Sequence, residues 1–224
     1  MLRQLLSIFK KDTLMDLAYQ RSFLMLDITR DMFIRAKSIL RHTDHDRVDI
    51  DIYNRDVEVN RYEREVRRNV FNHLAVSGTE KLPSGLVLVS IIIDIERIGD
   101  YTKNIVELAK NYPPMLNGGR YEKDLERVEA ALEDSFVRTK NCFQRADKEA
   151  AQALLKEYEW VSRLCDQCLF GLIKGQDKLI SSSNAVSLAL YFRWLKRIHS
   201  HLRNITTSVV NPFDRIGFKP KQLG

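Results

Sequence analysis

The chain has 224 residues, 44% of them hydrophobic and 29% charged, with a formal net charge of +6. This balance excludes a disordered or fibrous chain and allows one large core or two small ones. No stretch approaches the ~20 consecutive apolar residues that span a bilayer, and the opening MLRQLLSIFKK has too short an apolar run, and no small-residue cleavage site, for a signal peptide. A cytoplasmic location is therefore expected. Arg and Lys are interleaved with Glu and Asp, so a solvated, salt-bridged surface is expected and no nucleic-acid partner.

With only 9 Gly and 5 Pro to interrupt it, the chain reads as all-α, with six long helices. The first is expected from about 12 to 41, with Leu17, Leu24, Ile28, Met32 and Ile39 on its apolar stripe. The second, about 47–75, repeats Val59, Tyr62, Val66 and Val70. The third follows Pro83, a good first-turn residue, and carries Leu88, Ile91, Ile95, Ile98, Thr102, Ile105 and Ala109. The run NYPPMLNGG, residues 111–119, cannot continue a helix and marks a boundary. Beyond it lie a fourth helix at about 121–145 (Leu125, Val128, Leu132, Phe136, Thr139) and a fifth at about 148–174 (Leu154, Tyr158, Val161, Cys165, Leu172). The sixth, capped by Ser183 and ended by Asn211-Pro212, turns Leu195, Ile198, Leu202, Ile205 and Val209 inward.

Long helices and short loops predict antiparallel bundles. The division expected is a three-helix unit over 1–112, a linker over 113–120, a second three-helix unit over 121–211 and a tail over 212–224. The halves also repeat. At an offset of 100, Leu88, Arg97, Ile98, Asn104 and Ile105 meet Leu188, Arg197, Ile198, Asn204 and Ile205, and the polar matches are the better evidence for an internal duplication.

The chemistry concentrates in DIERIGDYTKNIVELAK, residues 94–110. Glu96, Asp100 and Glu107 border the apolar face of the third helix, with Lys103 among them. Glu96 and Asp100 are one turn apart, so their carboxylates repel unless a cation sits between them. On the second helix Asp56, Asn60 and Glu63 border the Val59, Val66, Val70 stripe. If the borders meet, four carboxylates and an amide converge, an oxygen-rich set suited to Mg²⁺, Mn²⁺ or iron. The competing reading is that Lys103, Arg67 and Arg97 neutralise these acids as ordinary ion pairs.

This run resembles the signature helix of the PhoU family, acid-Arg-Ile-Gly-Asp followed by Asn-Ile and Glu, matched here by Glu96, Arg97, Ile98, Gly99, Asp100, Asn104, Ile105 and Glu107. DVEVNRYEREV is similar to the companion motif, with Asn60 where many members carry an acid. The resemblance implies two tandem three-helix bundles and a metal ion held by Asp56, Asn60, Glu63, Glu96 and Asp100. In the second half the motif is replaced by Lys196, Arg197, Ile198, His199 and Ser200, with Tyr158 and Ser162 near the companion acids and Asp166 retained, so any metal is expected in the first half alone.

The resemblance further implies a regulator of phosphate uptake and phosphate homeostasis, not an enzyme. It would contact a membrane phosphate transporter or a sensor kinase, with a second copy of the chain as another candidate partner. The residues agree, since no Gly-rich phosphate loop, Ser-His-Asp or Cys-His constellation, or His-Glu-x-x-His helix is present. The alternatives are an accessory subunit of another phosphate or ion carrier with a structural metal, and a carboxylate-bundle metalloenzyme, which would want Glu-x-x-His ligands. Two further expectations come from the residues. Leu2, Leu5, Leu6 and Phe9 follow helical spacing beside Arg3, Lys10 and Lys11, and would meet the inner membrane surface unless they extend the first helix. Cys165 and Cys168 read as small buried apolar residues.

Overall fold

The structure is a computed structural model that describes residues 2–42, 51–77, 79–112 and 115–219, with residues 2–13 and 79 described by backbone alone. The described residues form seven α-helices: α1 (Leu2–His42), α2 (Ile52–Ser77), α3 (Leu82–Asn111), α4 (Glu122–Arg145), α5 (Lys148–Glu157), α6 (Trp160–Ile173) and α7 (Ser182–Val210). The all-α expectation holds. The expected fifth helix is broken at Tyr158–Glu159 into α5 and α6, which leaves six helical stretches made of seven segments. No helix among the described residues is long and apolar enough to cross a membrane.

Local chemistry sets the ends. Pro83 sits in the first turn of α3, where its missing N–H costs nothing. Ala146, left-handed at φ 50°, closes α4, and Asp147 then caps α5 by accepting from the Ala150 N–H at 3.0 Å. The cap of α7 is Ser181, which accepts from Asn184 N–H at 3.2 Å, two residues before the Ser183 expected from the sequence. The α1 helix runs past Asp12 to Leu2. The side chains of Leu2, Leu5, Leu6 and Phe9 lie outside the described residues, as do residues 113–114 of the linker.

The α1, α2 and α3 helices pack together, α4 to α7 pack together, and the two sets share one continuous buried cluster. The stripe expected for the first helix holds in its second half, where Met32 and Ile39 are buried, and is rotated in its first half. Leu17 and Leu24 are exposed, while Ala18, Met25, Leu26, Met32, Phe33, Ala36 and Leu40 are buried. The reason is that α1 packs against α4 as well as α2 and α3, so the face it buries is broader and turned from the stripe that one bundle would need.

Two long antiparallel contacts join the halves. Along α1 and α4, Phe33 meets Phe136, Lys140 holds Asp27 at 2.6 Å, and Lys37 holds Glu133. The buried Arg41 guanidinium lies 3.2 Å from buried Glu129 and also binds Glu122 and the Leu116 carbonyl. Tyr191 donates to Glu129 at 2.8 Å. Burial holds the Glu129 carboxyl above its usual range, with Arg41 and Tyr191 opposing, and removing one member of such a buried pair costs about 3–5 kcal/mol. Along α3 and α7, Asp94 accepts from Asn204 at 2.9 Å and pairs with His201 at 2.7 Å. Arg197 donates to the Tyr101 hydroxyl at 3.1 Å.

Candidate functional site: the acidic seam between α2 and α3

Gly99 brings the seam together. A Cβ there would lie 3.8 Å from Val59 Cγ1 on α2 and 3.7 and 3.9 Å from Thr29 and Met32 on α1. Three helices therefore converge where α3 has no side chain. Val59, Val66, Ile95 and Ile98 are buried beside it, and the residues that border them face one another across the seam: Asp56, Asn60 and Glu63 from α2, Glu96, Asp100 and Lys103 from α3.

The ammonium of Lys103 crosses from α3 to Asp56 Oδ2 at 3.0 Å and lies 3.4 Å from Asp100 Oδ1. Burial pulls its pKa down, but Asp56 and Asp100 more than offset that and hold it above the usual lysine range. Arg97 pairs with Asp100 at 3.2 Å and reaches Glu96 at 3.6 Å, and Arg67 pairs with Glu63 at 2.7 Å. Asn60 donates to Asp56 Oδ2 at 3.4 Å. Three cations thus face four carboxylates, leaving one negative charge in excess. That excess falls on Glu96. Its carboxyl is held above the usual range first by burial, then by repulsion from Asp100, with Glu63 and Asp56 adding to it and Arg97 opposing.

This coupling shows that the expected residues do converge. Among the described residues, however, no group of three or more His, Cys, Asp or Glu side chains is gathered as a metal site. The donor chemistry fits a hard cation, but the carboxylates are drawn apart into ion pairs, and Lys103 fills the place between Asp56 and Asp100. Its reach across the seam could not be read from sequence, because a long flexible side chain on the border of a stripe has solvent as its default partner.

The corresponding place in the second half is different. Lys196, at the position of Glu96, binds Asp166 of α6 at 2.6 and 2.7 Å, and Ser200 donates to its own helix at the Lys196 carbonyl, 2.9 Å away. At the position of Gly99 stands His199, 2% exposed, beside a small cavity of about 10 Å³ lined by Ser135, Thr139, Tyr158, Arg203 and Thr206. That volume holds about one water. The imidazole makes no well-formed hydrogen bond among the described residues. Burial, helped by Arg203 and opposed by the Tyr158 backbone, pushes its pKa down to about 3. On the same helix Arg193 is exposed, whereas Lys196 and Arg197 are engaged between helices. Cys165 and Cys168 are buried free thiols, each pushed up to about 12, chiefly by burial.

A sequence model of the PhoU domain matches residues 24–109, a span that includes both sides of the acidic seam. No curated protein matches the chain in sequence. The fold superposes on the crystal structure of PhoU from Pseudomonas aeruginosa with a TM-score of 0.76 at 19% identity, covering 89% of this chain and 96% of that one. It also superposes on the phosphate transport system regulatory protein PhoU from Streptococcus pneumoniae with a TM-score of 0.70 at 15% identity, covering 90% and 94%. At these identities the structural likeness establishes the fold. The domain match, over residues 24–109, agrees with the resemblance carried by the signature helix.

Proposed function

We propose that the protein regulates phosphate uptake by contact with a membrane phosphate transporter or a sensor kinase, and not by turning over a substrate. The observation that carries this reading is the PhoU-domain match over 24–109, in which the signature residues of α2 and α3 meet across one seam. The Streptococcus pneumoniae neighbour, a phosphate transport system regulatory protein, agrees with it.

Within this reading the seam is a place for charge compensation between α2 and α3. Asp56, Glu63, Glu96 and Asp100, with Asn60, would hold an iron, manganese or magnesium ion, which would supply positive charge between the two helices and no bond-making chemistry. The chain's own contribution is the lysine. Lys103 must leave Asp56 and Asp100 before those oxygens are free, so any cation competes with an ammonium already in place.

The test is physiological and biochemical together. Cells that lack the protein should take up labelled phosphate in excess, and affinity capture from membranes should recover a phosphate transporter or a sensor kinase. Unchanged uptake with neither protein recovered would sink the proposal. For the cation, saturating Mn²⁺ or Fe³⁺ should raise the melting temperature above that in chelator. Equal values leave the seam as ion pairs alone.

A further inference from the structure

At the end of the molecule where α6 turns into α7, large apolar side chains stand outside the core. Phe170 and Ile173, on the last turn of α6, are 54% and 68% exposed. Leu179, in the connection, is 97% exposed, and Val186 and Leu190, in the first turns of α7, are 61% and 41% exposed. Phe170 and Ile173 are three apart and Val186 and Leu190 four apart, so each pair shares a helix face. The Lys196–Asp166 pair joins α6 to α7, and the short connection from Ile173 to Ser182 brings both pairs to one end of the hairpin. Single exposed apolar residues are ordinary, but a contiguous group has a use.

The charge around this tip is mainly positive. Between residues 167 and 193 the chain carries Lys174, Lys178 and Arg193 and a single acid, Asp177, whose carboxylate accepts from the Leu179 N–H at 3.0 Å. All three cations are exposed. At the start of α4, Glu122 is turned inward to Arg41 and Asp124 lies against the Cys168 thiol of α6.

We propose that this tip docks on an anionic lipid surface, with Phe170, Ile173, Leu179, Val186 and Leu190 entering the boundary between headgroups and acyl chains while Lys174, Lys178 and Arg193 meet lipid phosphates. Two observations favour lipid over a protein partner. The exposed apolar residues stand at the end of α6, at the start of α7 and in their connection, and the flanking charge, mainly positive, complements an anionic headgroup layer. The site lies opposite the segment for which the sequence alone suggested membrane contact. Leu40 accepts from the Leu116 N–H, so α1 ends near this tip, and Leu2 begins about 60 Å away along that helix. A flat bilayer that meets the tip end-on does not meet Leu2–Phe9.

The proposal is independent of the acidic seam and is tested by vesicle co-sedimentation of the full chain. Binding to vesicles of phosphatidylcholine with phosphatidylglycerol should exceed that to phosphatidylcholine alone and should weaken with salt. Ile173→Ser with Leu179→Ser should reduce it about tenfold or more, and Lys174→Gln with Lys178→Gln about tenfold. Deletion of residues 1–10 should leave it unchanged. All four substituted positions are exposed, and an unaltered melting temperature confirms that each variant folds. Absence of binding to the anionic vesicles overturns the proposal, as does binding that the tip variants leave intact. A dimer that the Ile173→Ser, Leu179→Ser variant dissociates would also overturn it, by making the tip an interface between copies.

Discussion

The two bundles put different residues at equivalent places, and their geometry diverges from that point. In the first, Gly99 lets α1, α2 and α3 close together, α2 runs unbroken from Ile52 to Ser77, and Glu96 and Asp100 share Arg97 and Lys103 along the seam. In the second, His199 occupies the glycine position, and the helix opposite is broken at Tyr158–Glu159, beside the cavity that His199 lines. An imidazole has several atoms beyond Cβ, and close-packed helices have no spare volume to receive them. The turn at Tyr158–Glu159 lies where that bulk stands. The same half has also exchanged a carboxylate for an ammonium, so its seam closes on one lysine–aspartate pair. The continuous helix faces the glycine and the broken one faces the histidine, and the charges beside them differ in the same two places.

The sharpest way to break this comparison is to transfer the bulk. Gly99→His should destabilise the protein by about 3 kcal/mol or more, because an overpacked crossing and a buried unpaired ring act together. Gly99→Ala should be neutral or stabilising by up to about 1 kcal/mol, since its Cβ meets only ordinary contacts and alanine favours helix. Denaturant midpoints measure both. If histidine is tolerated as well as alanine, steric closure at Gly99 does not explain the difference between the bundles.

A second measurement sharpens the view of His199. Its folded pKa is depressed to about 3, so the unfolded chain takes up the proton first as pH falls. The stability due to its neutral form is complete above about 6.5 and is lost progressively toward about 3. Over that window, unfolding free energy should fall more steeply with decreasing pH in the wild type than in His199→Phe, by up to one proton. Parallel slopes would mean that the imidazole titrates normally.

The smallest expected effect concerns the lysines. Lys103→Met removes the ammonium from between Asp56 and Asp100. It should lower stability in chelator by about 1 kcal/mol and enlarge the rise in melting temperature with Mn²⁺ beyond that of the wild type. Lys196→Met leaves Asp166 with no second acid across its seam and should gain no response to metal. Identical metal responses in the two variants would erase the distinction drawn between the seams.

Much of the architecture was legible from residue order. Three- and four-residue apolar spacing placed the helical stretches, Pro83 placed the start of α3 to within a residue, and the two acidic borders of α2 and α3 were identified, with their meeting left as a condition that the Lys103–Asp56 pair fulfils. Those features depend on backbone geometry and local periodicity, which a sequence carries directly. Sequence also identified Lys103, Arg67 and Arg97 as competitors for the seam acids, without deciding which carboxylate each would take.

What tertiary structure decided was what depends on a second surface. The buried face of α1 turned from Leu17 and Leu24 toward Met25 and Phe33 because α4 packs there, and no periodicity within α1 can report a helix on the far side of the linker. The pairing of Arg41 with Glu129 and Tyr191, and of Asp94 with His201 and Asn204, joins residues more than sixty positions apart whose polar atoms find partners only after both bundles are closed. The break between α5 and α6 belongs to the same class, since the alanine- and leucine-rich sequence before Tyr158 favours helix and His199, which shares its cavity, lies on another segment. Sequence determined which faces of this chain must be buried. Packing determined against what, because burial is a property of two surfaces and helical spacing describes one.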